Sequence, residues 1–490
     1  MLGGGQRRAA LMVSTALVIV GLLGLSAAPV TTEASQAHGQ ARFGAASLFP
    51  KFAPNTHDYV VRCRNRPVTV RAHAPRGWEA AIGDHPYRRG DFSEVVPLVA
   101  GQGFIIAVRH VGRTQAHLYH VRCLPKDFPK YSFTRTRPVS PRFFAVDEEY
   151  FSRYAIVFDN HGAPIWWYRA AAHGTQVLPD GTVAWFDQTS KQFEIRRLNG
   201  SLVRAVNTVG QPPNPHDLQL TGNGDYLLGA YVKQSHVDTS AYGGSSDADV
   251  GNAELQEVGP GGGLVWDWKS QDHISLAETA RHWPRIIHHI TRWGYDIAHW
   301  NSIEPAGNSI IASFRHLDAV YRIDKSTGRI VWKLGGRATP KSLRVKHDPH
   351  HYTLGAQHDA RLLPDGTVTV FDNRTSLANR KPRAVRYRIN RRRGTATLLN
   401  SITDPIVSKS NCCGSARRLP NRDWLIDWGK NKPIAGYQPN GKRTFLLTFD
   451  SNFSYRAEPV PTSVLSAPDL RKGMRAMTHA QLQHSVAGGK

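Results

Sequence analysis

The chain has 490 residues, 40% of them hydrophobic and 12 of them tryptophan, so it can build a sizeable core and is not a disordered protein. Its formal net charge of +24 favours anionic partners. No nucleic-acid-binding motif stands out, which argues against nucleic acid and leaves anionic small molecules, acidic glycans or an anionic cell envelope.

The pattern of residues 1–40 predicts a signal peptide. Arg7 and Arg8 come first, an apolar run follows from Ala9 to Ala28, and small residues beyond that run offer cleavage sites. The apolar run approaches the length that spans a bilayer, so an uncleaved membrane anchor is the alternative. We therefore expect a secreted or otherwise extracytoplasmic protein.

Residues 47–140 predict a small all-β sandwich, because segments such as DYVVRC, PVTVRAHA and GFIIAVRH have short apolar or alternating patterns with β-branched residues. Cys63 and Cys123 each end a Val-Arg-Cys segment, which favours a bridge between them in an oxidising compartment. Cys412 and Cys413 are adjacent and form either a vicinal bridge or two free thiols. The sequence leaves all three pairings of the four cysteines open. Residues 126–141 are expected to be the linker to the next domain.

Residues 141–465 contain a repeat of strand, tight turn and strand. Four copies begin at His173, His216, His299 and His358, and each has a glycine eight residues later. A fifth copy has Gly414 in the histidine position. Two further strands follow the hairpin in segments such as DAVYRIDKSTGRIVWKL, and four antiparallel strands are typical of a propeller blade.

A sixth unit combines both ends of this region, pairing RTFLLTFD with YAIVFDNHGAPIWWYR so that the sheet has no free edge. We predict an all-β fold with a six-bladed β-propeller over 141–465, five or seven blades being the alternatives. Residues 466–490 are expected to be a polar tail. Insertions at 233–253 and 268–295 interrupt the repeat, and the second is a candidate cover for one face.

The shared position of the four histidines predicts that their side chains converge near the propeller axis. Asn301 lies two residues after His299, Arg315 ends the second strand of that hairpin, and Ser415 follows Gly414. Imidazole, guanidinium and amide groups suit a tetrahedral oxyanion, and a neutral imidazole can act as a nucleophile. Asp217 and Asp359 adjoin the histidines and should point to the opposite face as supporting or turn groups.

Each of these residues also has a purely structural interpretation. The histidines could be packing residues inherited by duplication, Arg315 a surface ion-pair partner and Ser415 an ordinary turn residue. A metal site is the main chemical rival for the histidines, but the nearby arginine disfavours a cation. We predict no metal and no cofactor.

The segments AHWNSIEPAGNSIIASFRHLDAVYRIDKSTGRIVWKLGG and GAQHDARLLPDGTVTVFDN resemble the bacterial arylsulfate sulfotransferases, and the resemblance covers residues 142–460. It implies a six-bladed propeller behind a small sandwich, and transfer of a sulfuryl group from a phenolic sulfate to a phenol without a nucleotide donor. It also implies that His358 takes the sulfuryl group, supported by His216, His299, Asn301 and Arg315.

Two further residues are less directly implied. Ser415 is placed at the position of a family threonine, and His173 rests on the repeat alone. That family has a disulfide near its site, formed by two cysteines that are spaced apart in the sequence. Cys412 and Cys413 are adjacent and so depart from this pattern. An aryl sulfatase with water as acceptor, a non-catalytic binder of anionic glycans or envelope polymers, and a metal enzyme are the competing functions.

Overall fold

The computed structural model describes residues 41–137, 140–148, 154–378 and 380–487, with side chains described as far as residue 479. These described residues belong to one compact unit. The predicted signal peptide at 1–40 lies outside the described residues. The protein is all-β and built largely of antiparallel sheets, as predicted. No described helix combines the length and the apolar character needed to cross a membrane.

The N-terminal region has two sheets, with strand orders β1-β3-β5 and β2-β7-β6-β4. Alternate residues of β3 are buried and exposed, which is the pattern of a strand with one face on a core. Side chains from both sheets share one hydrophobic cluster, and the predicted Cys63–Cys123 disulfide is confirmed within it. The strands are β1 (Arg42–Ala45), β2 (Asp58–Val61), β3 (Val68–Ala74), β4 (Trp78–Ile82), β5 (Gly90–Val96), β6 (Gly103–His110) and β7 (His117–Cys123).

The segment expected to be a linker contains a strand, β8 (Tyr131–Arg135), which belongs to the last sheet of the chain. The described residues then form six sheets of four or five strands. The first holds β9 (Phe143–Asp147), β10 (Tyr154–Asp159) and β11 (Pro164–Arg169), and the second holds β12 (Ala172–Val177), β13 (Val183–Asp187), β14 (Gln192–Arg196) and β15 (Leu202–Val206).

The third sheet holds β16 (Gln219–Leu220), β17 (Tyr226–Val237), β18 (Ala248–Val258), β19 (Leu264–Lys269) and β20 (Tyr295–Asp296). The fourth holds β21 (Trp300–Pro305), β22 (Ser309–Phe314), β23 (Ala319–Asp324) and β24 (Ile330–Gly335). The fifth holds β25 (Arg344–Lys346), β26 (His358–Leu362), β27 (Thr367–Asp372), β28 (Arg383–Asn390) and β29 (Thr395–Ile402). The sixth holds β30 (Ser415–Arg418), β31 (Trp424–Asp427), β32 (Pro433–Tyr437), β33 (Arg443–Phe449) and β8.

One predicted pairing is wrong. The strand that completes the first sheet from the C-terminal side is β34 (Glu458–Val460), which pairs with β9, whereas RTFLLTFD forms β33 and pairs with β8. The physical reason is that β8 supplies the outer edge of the sixth sheet, which leaves β33 with partners on both sides. The ends of the region do meet in one sheet, as expected, but through different strands.

The expected polar tail contains a helix, α2 (Ala467–Ala487). Its Leu470, Met474 and Met477 are buried in the cluster that also holds Trp166 and Trp167 of β11. The short α1 (Trp283–Ile286) lies in the 268–295 insertion. Brief 3₁₀ turns occur at Ser240–Tyr242, Ser270–Asp272, Leu276–His282, Arg315–Leu317 and Gly429–Asn431.

Consecutive sheets pack closely on one another. Trp300 of β21 is fully buried, and its ring lies so near Gly229 of β17 that a Cβ there would come within 2.4 Å of it. The first strands of neighbouring sheets are also in contact, β16 with β21, β21 with β26 and β26 with β30. The starts of these strands therefore face a common space.

Candidate active site

The four repeat histidines stand at the start of the first strand in four consecutive sheets. The ring centroids of His173 and His216 are 6.1 Å apart, and those of His216 and His299 are 5.1 Å apart. Tyr455 lies among them, with its ring 4.1 Å from His173 and 6.4 Å from His358. The structure thus brings together all four predicted histidines.

The backbone at these starts is irregular in a recurring way. The pairing register shifts just after His173 and after His358, and again after Trp300. His299 and Asp359 have positive φ angles of 50° and 57°. A bulge changes the direction of the side chains around it, so a histidine and the residue next to it can face different surroundings.

His358 is buried and held in one tautomer. The Asn373 side chain donates through Nδ2 to Ser410 Oγ and Cys413 O, both at 2.9 Å, so its Oδ1 must accept from His358 Nδ1 at 2.8 Å. On the other side of the ring, the Cys413 N–H donates to His358 Nε2 at 3.2 Å. Nε2 therefore carries the lone pair.

Burial is the main cause that holds the pKa of His358 well below its usual value, and the charge of Arg315 acts in the same direction. The ring is consequently neutral at pH 7, with an available lone pair on Nε2. Burial likewise lowers the pKa of His216 and of His316 well below the ordinary range. These three imidazoles are therefore neutral acceptors or nucleophiles in the resting protein.

The position of His358 is fixed from behind by its neighbour in sequence. Gln357 is fully buried and donates through Nε2 to Ser313 Oγ at 3.0 Å and to Ala319 O at 2.9 Å, both in the fourth sheet. The Asn301 side chain donates through Nδ2 to Gln357 O at 2.7 Å. Asn301 is itself fully buried and so contacts the residue before His358 rather than the open cavity.

His299 differs from the other histidines because a carboxylate faces it. Asp296 Oδ2 lies 2.5 Å from His299 Nδ1, and the His299 ring is 4.8 Å from that of His316. The carboxylate accepts the proton of Nδ1 and orients the ring so that Nε2 lies on the far side from Asp296.

Asp296, His299 and His316 are also close enough to suggest a metal site, with ligand atoms within 4.8 Å of one another. His316, however, uses both ring nitrogens: Nδ1 is 2.5 Å from Asp296 O, and Arg315 Nη1 is 2.6 Å from Nε2. A guanidinium next to the only unprotonated nitrogen of His316 disfavours a cation there. The trio suits an anion better.

Arg315 lies directly after β22, in the 3₁₀ turn Arg315–Leu317 rather than in the strand, and its backbone N–H donates to His299 O at 2.9 Å. Its side chain is 7% exposed and donates to Asn411 O at 3.0 Å. Burial, followed by the charge of Arg285, lowers the pKa of Arg315 to about 10, so the guanidinium stays charged at pH 7. It provides a buried positive charge with no carboxylate partner among the ion pairs of the described residues.

A cavity of about 610 Å³ opens beside His299, Arg315 and His316. Its wall includes His282, Arg285 and His289 of the 268–295 insertion, together with His299, Arg315 and Lys430. The 268–295 insertion therefore supplies part of the cavity wall. Cys412, which is bonded to Cys413 in a vicinal disulfide, also lines the cavity.

Ser415 has a different environment. It is fully buried in β30, donates to Ala457 O at 3.0 Å and accepts from Ala457 N at 3.1 Å. Sequence reasoning missed Asn373, Asp296, His316, Tyr455 and the Cys413 amide. His316 directly follows Arg315 and Asp296 precedes His299 by three residues, so these two had a signal in the sequence, whereas Tyr455 had none.

Beneath the histidines lies a buried network of ion pairs. Arg361 contacts Asp217 at 2.8 Å and Asp359 at 3.0 Å, and Arg456 contacts Asp217 at 2.7 Å. Burial alone would raise the pKa of Asp359, but the surrounding arginines lower it to about 2. The network is completed by Arg417, Glu304 and Glu458. The two aspartates expected to face away from the histidines thus lie in a structural network.

The family model described as Arylsulfotransferase (ASST) matches residues 130–444. Comparison with curated proteins finds no match to this sequence. Among solved structures, a protein of unknown function from Bacteroides caccae is 12% identical, with a TM-score of 0.40, and covers 65% of this chain and 98% of its own. A catalytically inactive virginiamycin B lyase from Staphylococcus aureus with quinupristin is 9% identical, with a TM-score of 0.35, and covers 65% and 100%. Neither likeness bears on the chemistry of this chain.

Proposed function

The chain belongs to the arylsulfotransferase family, and on that premise we propose that it transfers a sulfuryl group from a phenolic sulfate ester to a phenol, by a ping-pong reaction through His358. The observation that carries the proposal is the buried, neutral His358, whose Nδ1 proton is held by Asn373 and whose Nε2 lone pair faces the Cys413 amide.

In the first half-reaction, His358 Nε2 attacks sulfur. The N–S bond forms as the bond between sulfur and the phenolic oxygen breaks, and the departing phenolate takes the electron pair of that bond. The imidazole gains positive charge, which its Nδ1–H shares with the carbonyl oxygens of Asn373 and Ala356. Arg315 lies close enough to stabilise the negative sulfuryl oxygens.

The departing phenolate needs a proton, and His299 is the best placed donor. Asp296 accepts from Nδ1 of the ring, so a doubly protonated His299 gives its Nε2 proton to the phenolate and is left neutral, with its remaining proton on Nδ1. In the second half-reaction the same His299 takes the proton from the acceptor phenol. The phenol oxygen then attacks sulfur, the N–S bond breaks, and neutral His358 is restored.

The remaining predicted residues act as supports. His216 is neutral and adjoins His299, so it offers a hydrogen-bonding edge to the sulfuryl group. Asn301 positions Gln357 and through it His358. His173 packs on Tyr455 at the side of the cluster, and Ser415 holds the start of β30 against the chain before β34.

We propose in addition that the six sheets are six blades of one closed propeller, and that the two N-terminal sheets form a sandwich in front of it. The predicted signal peptide supports an extracytoplasmic location, and the charge of +24 supports association with an anionic cell envelope.

The test is to mix the protein with 4-nitrophenyl sulfate in the absence of a phenol and to map the modified peptide by mass spectrometry. We expect one sulfuryl group on the peptide that contains His358, and its loss when a phenol is added. His358→Asn should lack both the label and the transfer activity, whereas His288→Asn, a matched control at an exposed position off the cavity wall, should keep the label. Transfer by the His358→Asn protein without a label would overturn the mechanism.

A parallel measurement separates transfer from hydrolysis. Sulfate release in water should be slow, and an added phenol should divert the sulfuryl group to the aryl sulfate product. If release of inorganic sulfate proceeds at the same rate with and without the phenol, the protein is a sulfatase.

A further inference from the structure

We infer that the phenolic substrate carries a second anionic group, a carboxylate or a further sulfate, which Arg285 binds at the rim of the cavity. The inference rests on the proposed function, because it concerns the part of the substrate that the sulfuryl chemistry does not use.

The cavity is more basic than a single sulfuryl group requires. Arg285, His289 and Lys430 line it in addition to Arg315. Among the described residues of its wall, Asp296 is the sole carboxylate, and His299 already faces it. Ile286 is the one aliphatic side chain there. The wall therefore offers an aromatic ring a single aliphatic side chain, whereas an anion would find several donors.

Arg285 stands out from the other arginines of the 268–295 insertion. Arg281, one turn earlier, is held by Asp318 through two contacts of 2.5 and 2.9 Å. Arg292 lies over the ring of Trp293 at 4.7 Å. The Arg285 side chain forms no ion pair or hydrogen bond with any described residue, and the residue is exposed at the cavity.

Arg285 and Arg315 are close enough for their charges to repel. The repulsion contributes to the lowered pKa of Arg315, second only to burial. Two guanidinium groups facing one space are stabilised when negative charge enters between or beside them. Arg315 is buried beside His299 and suits the sulfuryl group, so the exposed Arg285 is left for a second anion farther out on the same molecule.

The insertion fixes the backbone of Arg285 through neighbouring residues and not through the Arg285 side chain. Trp283 and Ile286 of α1 are buried in a cluster with Val250 and Tyr295, and the Ser275 capping box fixes the preceding 3₁₀ segment. Because the flanking residues anchor α1, replacing Arg285 removes a charge from the rim without removing a core contact.

The experiment compares two donors that differ in one charge, 4-carboxyphenyl sulfate and 4-carbamoylphenyl sulfate. Formation of sulfohistidine is measured without acceptor, so that only the first half-reaction counts. We expect the unmodified protein to prefer the carboxylate donor by about tenfold in the second-order rate constant of labelling, the size of one charge-assisted hydrogen bond. Arg285→Gln should abolish this preference and leave the rate with the carbamoyl donor within about twofold. Arg292→Gln is the matched control and should keep the preference.

The outcomes distinguish this inference from the proposed function. If both donors label His358 equally in the unmodified protein, or if Arg285→Gln keeps the preference, the inference is wrong while the sulfotransferase function stands. If neither donor labels His358, the proposed function itself fails. A donor with a second sulfate in place of the carboxylate, tested alongside, shows which of the two anions Arg285 prefers.

Discussion

The two faces of the inner strands differ sharply in chemistry, although they are built from adjacent residues. His216 and His358 belong to the histidine cluster, where burial keeps the rings neutral. The next residues, Asp217 and Asp359, belong to the buried network, where arginines keep both carboxylates charged. One strand start therefore supplies a reactive group to one side and a structural group to the other.

This difference shows that the histidines of the candidate site and the ion pairs that stabilise the fold lie on opposite sides of the same strands. The network joins five sheets: Arg361 of β26 contacts Asp217 before β16 and Glu304 of β21, and Arg417 of β30 contacts Glu458 of β34. Arg456 also donates to His216 O and Asn301 O, so the same cation holds the backbone of two site residues. The histidines are thus positioned by charges that take no part in the chemistry.

The largest expected effect comes from breaking the network. Arg361→Met leaves buried Asp217 and Asp359 short of a positive partner, and we expect a loss of about 3–5 kcal/mol in the free energy of unfolding. The matched control is Arg386→Met, whose partner Asp365 is about half exposed and should cost under about 1 kcal/mol. Urea unfolding followed by tryptophan fluorescence measures both. Equal losses in the two variants would contradict a structural role for the network.

Within the histidine cluster, Asn373→Leu should lower kcat by about tenfold to a hundredfold, because His358 loses the acceptor that fixes its tautomer and shares its developing charge. The urea midpoint corrects for any loss of folded protein. Asn373→Asp puts a carboxylate beside Nδ1 and should raise the pKa of His358, which moves the acid limb of the pH–rate profile to higher pH. A purely structural role for Asn373 would leave that limb in place.

Asp296→Asn should have a smaller effect, and one that depends on the leaving group. With 4-nitrophenyl sulfate the departing phenolate is stable without a proton, and labelling should change little. With phenyl sulfate, whose phenolate is more basic, labelling should slow by about tenfold or more. An equal loss with both donors would assign Asp296 to positioning of the cluster rather than to proton transfer through His299.

The smallest effect is on the pH dependence of stability. The pKa of His358 is lower in the folded protein than in the unfolded chain, where it is about 6.5, so the unfolded state binds more protons in acid. Stability should fall as the pH drops below about 6.5, by up to about 1.4 kcal/mol per pH unit for this histidine. His358→Asn should make the decline shallower, and His288→Asn, at an exposed position, should not. Unfolding midpoints between pH 5 and 7 provide the measurement.

Much of the fold follows from local patterns. The turn glycines and the alternating strands located the hairpins of the second to sixth sheets, and the shared histidine position located the cluster. The partner of β33 could not be found this way, because β8 and β34 are short strands with no repeat signal, and pairing over some 300 residues is set by tertiary packing. The helix α2 was missed because polar residues outnumber its few buried apolar ones.

The site residues that lie within the sequence repeat could be predicted, and those outside the repeat could not. The same position of the repeat holds His216, His299 and His358, and Arg315 directly follows the neighbouring strand. Their spacing in the sequence therefore predicted that all four lie close together. Asn373 and Tyr455 lie at a strand end and in a loop outside the repeat pattern. The bulges also hid the true direction of Asn301, since strict alternation placed it on the same face as His299, whereas it contacts Gln357 from behind.

The pairing of β34 with β9 has a consequence for the order of biosynthesis. The other strands of that sheet, β9 to β11, are complete by residue 169, but they lack their inner partner until residues 458–460 have been made. Tyr455 and Arg456 arrive in the same short stretch. The chain must therefore be made as far as residue 460 before the histidines of the candidate site have their full surroundings. A chain shortened before residue 456 would keep all four histidines and still lack the last strand of the first sheet and the Arg456 contacts to His216 O and Asn301 O.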